Sequence, residues 1–241
     1  MNRREPIFNV PPVVAALIGS FVLVHLVRAL LPAQEDDWLT AVLAFVPARL
    51  TGIAGQLPGG DPAAVTQFVT HIFVHGDLMH LILNSAWLLP FGSSVARRVG
   101  SVRFLLFFLL CGIGGALSYA LLSPNALSMM VGASGAISGL MGAAFRFLFK
   151  AIRDQDADGL AGLGRKPPLM SLRATLQDRR IVLAIIGWTL LNIAMAWGAV
   201  GLADGVSIAW EAHIGGFFVG LLTFGWFDPP EEAEPDAAPA A

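Results

Sequence analysis

The sequence predicts an all-α membrane protein in which six helices cross the bilayer and both termini are cytoplasmic. Of its 241 residues, 56% are hydrophobic and 13% are charged, which is about half the charged fraction of an average soluble domain. Six apolar stretches approach the roughly 20 residues that a helix needs to cross the hydrocarbon. Lys and Arg residues collect in alternate connections between these stretches, as they do in cytoplasmic loops.

The apolar stretches divide the chain into one membrane domain with short flanks. The six predicted spans cover residues 12–31, 76–96, 102–122, 133–150, 181–200 and 205–227. Residues 1–11 are then a cytoplasmic N-terminus, residues 12–227 the membrane domain, and residues 228–241 a disordered cytoplasmic tail rich in Pro, Glu and Ala. The first stretch exceeds the roughly 7–15 apolar residues of a signal peptide, which favours a retained span over cleavage near Ala33.

The positive charges favour six spans over five or seven. With six spans, only Arg28 and Arg49 fall toward the outer side, and an odd number of spans would scatter the charges over both faces. The residues on the inner side are Arg3, Arg4, Arg97, Arg98, Arg103, Arg146, Lys150, Arg153, Arg165, Lys166, Arg173, Arg179 and Arg180. The net charge of −2 argues against nucleic acid as a partner.

The longer connections and the cysteine carry further expectations. The outer loop, residues 32–75, is predicted to contain interfacial helices at 38–46 and 63–75. The connection 151–178 is expected to be a solvated linker. Cys111 is the only cysteine, which excludes an internal disulfide, and its apolar surroundings indicate a small buried hydrophobe.

Gly132-Ala133-Ser134-Gly135 lies at the outer start of the fourth predicted span. Small residues continue to Gly139 and Gly142, so one interpretation is a helix-packing face with an incidental serine. The other is a nucleophile, because small neighbours let a substrate backbone come close. Free N–H groups at a helix N-terminus can also stabilise an oxyanion.

Ala212-His213-Ile214-Gly215-Gly216 lies in the sixth predicted span. A histidine in an apolar run needs a polar partner, and Gly216 and Gly220 allow this helix to pack closely on another. If that neighbour is the fourth span, His213 can reach Ser134 and serve as its base. The alternative is a structural histidine that is satisfied by a backbone carbonyl.

A run of polar residues, His71, His75, His80 and Asn84, leads into the second predicted span. His80 and Asn84 are four residues apart and share a helix face, where both are suitable oxyanion donors. A polar clamp between helices is the alternative. His71 and His75 also have the spacing of a helical metal site, but no carboxylate or thiolate completes such a set, so no metal is predicted.

These three features, in this order, resemble the rhomboid intramembrane proteases in their bacterial six-helix form over about residues 70–222. The His-x3-His-x4-His-x3-Asn pattern is matched by His71, His75, His80 and Asn84. The Gly-x-Ser-Gly pattern is matched by residues 132–135, and the Ala-His-x-x-Gly-x-x-x-Gly pattern by residues 212–220. Each motif alone is weak, and the combination is specific.

The resemblance implies a Ser–His dyad with Ser134 as nucleophile and His213 as general base and acid. The oxyanion would be held by His80, Asn84 and the backbone N–H of Ser134. The supporting residues would be His75, Gly132, Gly135 and Gly216. The resemblance implies no metal or organic cofactor, and it implies single-span membrane proteins as substrates, cut near the outer membrane face.

Two positions depart from the family pattern. Many members have Trp-Arg in the outer loop before the His-rich run, where this chain has Thr66 and Gln67, so the loop must be anchored differently. Some members have an aromatic residue four positions after the nucleophile that stacks on the catalytic histidine. This chain has Ser138 there, which leaves the support of the His213 ring undefined.

Two other functions are weighed against proteolysis. A non-catalytic relative that binds membrane clients would be expected to lack the serine or the histidine, and both are present. A transporter or proton relay would be expected to show repeats and acidic residues within spans. The sequence shows no repeat, and Asp77 and Asp204 lie at span edges, where a capping or interfacial role is favoured. The charge pattern, the six spans and the single cysteine are typical of a multi-pass protein of a bacterial inner membrane, and the oligomeric state is left open.

Overall fold

The computed structural model describes residues 10–158, 167–196 and 209–229, and their regular structure is helical apart from one isolated antiparallel bridge. The flanks 1–9 and 230–241 therefore lie outside the described residues, as do residues 159–166 and 197–208, which include the end of the fifth predicted span and the start of the sixth. The α-helices are α1 Pro12–Ala29, α2 Ala33–Leu43, α3 Gly60–Thr70, α4 Leu78–Val99, α5 Ser101–Leu122, α6 Ser134–Phe145, α7 Leu148–Asp158, α8 Leu172–Gln177, α9 Arg179–Ala196 and α10 Trp210–Thr223. Short 3-10 turns cover Pro47–Thr51, Ala54–Gln56, His71–Phe73 and Phe224–Trp226.

Helix α6 is the centre of the molecule. It is only 12 residues long, and all of its residues except Ser134 and Met141 are buried. Helices α4, α5 and α10 surround it, and α1 packs on the outside of α4. Its run of Gly, Ala and Ser lets these neighbours approach closely, as small residues do between membrane helices. The motif residues of α6 therefore lie inside the bundle.

Three of the helices in the described part of the chain, α1, α4 and α5, are long and apolar enough to cross a membrane. Each exposes large apolar side chains along one side, for example Leu23, Leu83 and Leu106. Contiguous exposed apolar surface of this kind is rare on soluble monomers, and it suits contact with lipid.

Helix α6 ends five residues before the predicted fourth span does. The Arg146 carbonyl accepts a hydrogen bond from the Met170 amide (2.9 Å), and the buried Arg146 guanidinium donates to the carbonyls of Met170 (3.0 Å) and Leu221 (3.3 Å). These contacts hold the end of α6 against the following segment and α10, and hydropathy carries no information about them. The connection 151–178 also differs from the predicted linker, because α7 extends into it as far as Asp158 and α8 lies within it.

The sequence predicts that Asp228 belongs to a disordered tail, whereas in the structure hydrogen bonds hold it in place. Its carboxylate accepts two hydrogen bonds from Arg98 at the end of α4, both at 2.8 Å. Arg98 also donates to the Pro167 carbonyl (2.6 Å) and lies 4.7 Å from the centre of the Phe147 ring. The Arg98 side chain therefore joins the end of α4 to the segment that follows α10 and to the α6–α7 junction.

The outer loop differs in detail from its predicted interfacial helices at 38–46 and 63–75. Helix α2 ends at Leu43 and α3 begins at Gly60, and two 3-10 turns lie between them. The buried Phe45 pairs with Met130 through two backbone hydrogen bonds of 2.9 Å. This bridge fastens the outer loop to the segment that leads into Ser134.

Arg49 anchors this loop, which has Thr66 and Gln67 in place of the Trp-Arg pair of many family members. The side chain is almost fully buried, and its guanidinium donates to the carbonyls of Ala41, Ala44 (2.8 Å) and Pro58 (2.9 Å). It also donates to the side-chain oxygen of Gln67 (3.2 Å), which accepts a further bond from the Val46 amide (2.9 Å). Arg49 and Gln67 together join both ends of the loop.

Arg49→Met is expected to destabilise this loop, because it keeps an unbranched apolar stem and removes every donor of the guanidinium. A buried acceptor that loses its donor costs about 1–3 kcal/mol, so the thermal unfolding temperature should fall and residues 44–60 should become sensitive to protease. Arg153→Met is the control, since Arg153 is half exposed and its pair with Asp178 (3.2 Å) is of the surface kind worth about 0–1 kcal/mol. Equal effects of the two changes would contradict the anchoring role.

Candidate active site

Ser134 is the first residue of α6 and is half buried. The preceding Gly132 has φ +114°, a conformation that favours glycine, and its amide donates to the His71 carbonyl (2.9 Å). The outer loop and the turn before Ser134 are therefore joined at a second point, beside the Phe45–Met130 bridge. The first N–H groups of a helix have no partner within it, so the start of α6 offers donors beside the Ser134 hydroxyl.

His213 on α10 lies directly against Ser134. Its Nε2 is 2.7 Å from Ser134 Oγ, which is within the range for proton transfer between a nucleophile and its base. The two residues are 79 positions apart in the chain, so only the packing of α10 on α6 brings them together.

Glycines set the separation of these two helices. A Cβ at Gly216 would overlap the carbonyl oxygen of Gly135, and a Cβ at Gly220 would overlap that of Gly139. On the other side of the contact, a Cβ at Gly135 would lie 3.3 Å from the Ala212 carbonyl oxygen. The backbones of α6 and α10 therefore touch directly around the Ser134–His213 pair.

The second ring nitrogen of His213 is held by Asn192 on α9. His213 Nδ1 lies 2.8 Å from Asn192 Oδ1, and Asn192 Nδ2 donates to the Trp188 carbonyl at 2.8 Å. In this chain, which has Ser138 where some family members have an aromatic ring, the His213 ring is therefore held by hydrogen bonds at both of its nitrogens. Asn192 is not among the residues that the sequence motifs predict, although an asparagine inside an apolar span was a usable signal.

His80 and Asn84 share one face of α4 beside the turn that precedes Ser134. Asn84 Nδ2 donates to the His80 carbonyl (2.9 Å), and its Oδ1 has no partner within the described part of the chain. The His80 ring accepts a long hydrogen bond at Nδ1 from the Gly76 amide (3.4 Å). Its Nε2 faces Gly132, where an added Cβ would lie only 2.6 Å away. A proton on Nε2 therefore points toward the Ser134 turn.

His71 and His75 lie before α4 and are buried. Burial lowers the pKa of each to about 4, so both rings are neutral at pH 7. His71 Nδ1 donates to the Gln67 carbonyl (2.7 Å). The His75 ring packs on Phe21 and His80, with centroids 5.0 and 5.2 Å away, and so supports the His80 ring.

The spacing of His71 and His75 does not place them on one helix face. Helix α3 ends at Thr70, a 3-10 turn follows, and Val74 is extended. The helical metal site that their spacing allowed therefore does not form, and the described residues contain no group of three or more His, Cys, Asp or Glu side chains that could hold a metal ion.

The backbone carbonyl of His75 accepts a hydrogen bond from the buried Arg28 (2.7 Å), which also pairs with Asp36 (2.7 Å).

Comparison with known proteins matches this chain to a family and to several relatives. The family model described as the Rhomboid domain matches residues 62–228, which is more than half of the chain. RHOMBOID-like protein 4 of Arabidopsis thaliana is 30% identical over 150 residues, which cover 62% of this chain and 31% of that protein. Rhomboid protease GluP of Bacillus subtilis is 40% identical over 77 residues, covering 32% and 15%.

A third relative is matched over most of its length. Rhomboid protease GlpG of Haemophilus influenzae is 26% identical over 165 residues, which cover 68% of this chain and 70% of that protein. The chain spans less than a third of the length of the other two relatives. The family match covers both the Ser134 turn and the His213 helix, and it agrees with the apolar helices of the fold. The chain belongs to the rhomboid family of intramembrane proteases and is a multi-pass integral membrane protein.

Proposed function

We propose that this protein is an intramembrane serine endopeptidase in which Ser134 is the nucleophile and His213 is the general base and acid. The single observation that carries the proposal is the 2.7 Å separation of Ser134 Oγ and His213 Nε2. A serine hydroxyl needs an adjacent base to act as a nucleophile at neutral pH, and His213 occupies that position inside an apolar bundle.

The proposed reaction is an acyl transfer in two halves. Ser134 Oγ attacks the scissile carbonyl carbon while its proton passes to His213 Nε2, and a tetrahedral oxyanion forms. The C–N bond then breaks, and His213 returns the proton to the leaving amine. Water, activated by the same nitrogen, attacks the acyl ester and releases Ser134.

We assign the oxyanion donors to His80 Nε2–H, to the second amide N–H of Asn84 and to the backbone N–H of Ser134. The supporting observations are the orientation of the His80 ring toward the Ser134 turn and the position of Ser134 at a helix N-terminus. Removing one donor of an oxyanion hole costs about 10²–10³-fold in rate in serine proteases.

The proposed arrangement in the membrane has six spans, formed by α1, α4, α5, α6, α9 and α10, with both chain ends in the cytoplasm. The charge pattern of the loops supports it. Arg28 and Arg49, the two cations on the outer side, are both buried and hydrogen-bonded, so neither acts as a free loop charge. The same pattern supports a bacterial inner membrane as the location.

The proposed substrates are proteins with a single transmembrane helix, cut near the outer face of the membrane. Ser134 lies at the predicted outer end of α6, which sets the depth of the cut. A helical peptide bond is shielded by its own hydrogen bonds and side chains, so the substrate must unwind locally before its carbonyl reaches Ser134. Segments with small and helix-breaking residues meet this requirement best.

Labelling of the purified full chain with a fluorophosphonate probe tests the proposal. We expect wild type to be labelled and Ser134→Ala to be unlabelled, because the probe bonds covalently to an activated serine. Ser138→Ala is the matched control, since it removes a hydroxyl one turn further along α6, and its labelling should equal that of wild type. Equal labelling of Ser134→Ala and wild type would overturn the proposal, and a wild type that does not label would favour the client-binding alternative.

A further inference from the structure

We propose that Asn192 is a positioning residue that fixes the tautomer of His213 from a third helix. The inference deepens the proposed function and rests on it, because an oriented base matters only if His213 is the base. Ser134 belongs to α6 and His213 to α10, whereas Asn192 belongs to α9. The site then has three members, a serine, a histidine and an asparagine.

The orientation of the Asn192 amide follows from its two bonds. Its Nδ2 lies 2.8 Å from the Trp188 carbonyl, which can only accept, so the NH₂ group must face that oxygen. The Oδ1 atom then faces His213 Nδ1 at 2.8 Å. The reversed amide would set two acceptors, Oδ1 and the Trp188 carbonyl, against each other. Asn192 is buried, so solvent does not compete for these bonds.

This orientation decides where the proton of the neutral imidazole lies. Because Oδ1 can only accept, Nδ1 must carry the hydrogen, and Nε2 then presents its lone pair. Nε2 faces Ser134 Oγ at 2.7 Å, so the lone pair receives the hydroxyl proton. With the other tautomer, Nε2–H would point at Ser134 and the ring could not act as a base.

The hydrogen bond to His213 Nδ1 comes from α9, which packs less closely on α10 than α6 and α5 do. Helix α9 contacts α10 over a small area, where the Trp188 ring stacks on Phe217 with centroids 4.5 Å apart. Its other side exposes apolar side chains, including Leu190 and Leu191. The Asn192–His213 hydrogen bond and the Trp188–Phe217 contact both lie between α9 and α10. The tautomer of His213 therefore depends on the packing of α9 on α10.

Steady-state cleavage of a single-span substrate by the full-length protein provides the first test. For Asn192→Leu, which keeps the size and removes the acceptor, we expect kcat to fall about 10-fold to 100-fold with KM within twofold of wild type. This loss is smaller than the roughly 10²–10⁴-fold contribution of general-base catalysis as a whole. In Asn192→Asp, the protonated carboxyl, which an apolar interior favours over the carboxylate, keeps an acceptor oxygen toward His213 Nδ1. Its hydroxyl replaces the amide NH₂ as the donor to the Trp188 carbonyl, so this variant should recover most of the lost kcat. Leu191→Ala, the exposed neighbour on α9, should match wild type.

Nitrogen NMR of protein labelled with ¹⁵N-histidine provides a second test that needs no activity. Wild type should show His213, identified by its absence from the spectrum of His213→Ala, as the Nδ1–H tautomer. Asn192→Leu should shift it toward Nε2–H. Both Asn192 variants should unfold well above the temperature of the measurements. If Asn192→Leu does not, Asn192→Ala replaces it in both tests.

The outcomes separate this inference from the proposed function. If wild type neither labels nor cleaves, the proposed function fails, whereas the tautomer readout still decides the role of Asn192. If wild type cleaves and Asn192→Leu has the same kcat and the same tautomer, the inference is overturned. A loss that appears equally in Leu191→Ala, or that Asn192→Asp does not reverse, would also overturn it.

Discussion

Alanine at Ser134 or at His213 is expected to lower cleavage of a single-span substrate on the order of 10⁴-fold, and alanine at both positions should cost no more than alanine at one. The two side chains share one proton across 2.7 Å, so neither works without the other. Members of such a unit are strongly non-additive in other serine proteases. The measurement is kcat/KM in detergent or vesicles for wild type, both single variants and the double variant.

Ser138→Ala and the unfolding temperature of each variant are the controls for this prediction. Ser138 is buried on the same helix and has no proposed part in the chemistry, so its variant should cleave at nearly the wild-type rate. Losses that multiply in the double variant would mean that Ser134 and His213 act separately, and the dyad would be wrong.

Gly216→Ala is the second large expected effect, because it adds one carbon where the backbones of α6 and α10 touch. The new Cβ would overlap the Gly135 carbonyl oxygen, which belongs to the backbone and cannot rotate away. Overpacking of this kind costs about 1–3 kcal/mol. It also moves His213, three residues earlier on α10, away from Ser134, and a displacement of about 1 Å can cost about 10²-fold in rate. The unfolding temperature measures the loss of stability, and kcat/KM measures the loss of rate.

Gly19→Ala is the matched control for Gly216→Ala. Gly19 lies within α1, and a Cβ there would meet nothing within 4 Å. Alanine is a better helix former than glycine by about 1 kcal/mol, so the control should be neutral or slightly stabilising. If the two variants behave alike, the glycine contact does not determine the separation of α6 and α10.

The motif residues were predictable because their chemistry is local. Ser134 among small residues, and His213 before two glycines spaced by four, are readable from sequence spacing alone. The helical class was predictable from hydropathy and is shown by the structure, and the resemblance to the rhomboid family is confirmed by the family match. The assignments of roles to Ser134, His213, His80 and Asn84 stay predictions until the variants are measured.

Arg49 and Asn192 show what the sequence concealed. Arg49 counted only as one of two cations on the outer side, yet its guanidinium joins Ala44, Pro58 and Gln67. Asn192 is one polar residue in an apolar stretch, and nothing in its neighbours along the chain indicates that it faces His213. Each contact depends on which helices meet and at what rotation, and a single sequence does not contain that information.

By itself, the sequence determined that this is a helical membrane protein and which side chains can carry chemistry, because hydropathy and residue type act over a few turns of one helix. The tertiary structure decided how those side chains are used. The glycine contact between α6 and α10 brings Ser134 to His213, and α9 supplies the Asn192 oxygen at 2.8 Å. Proton transfer depends on tenths of an ångström between atoms far apart in the chain, and only helix packing sets such distances.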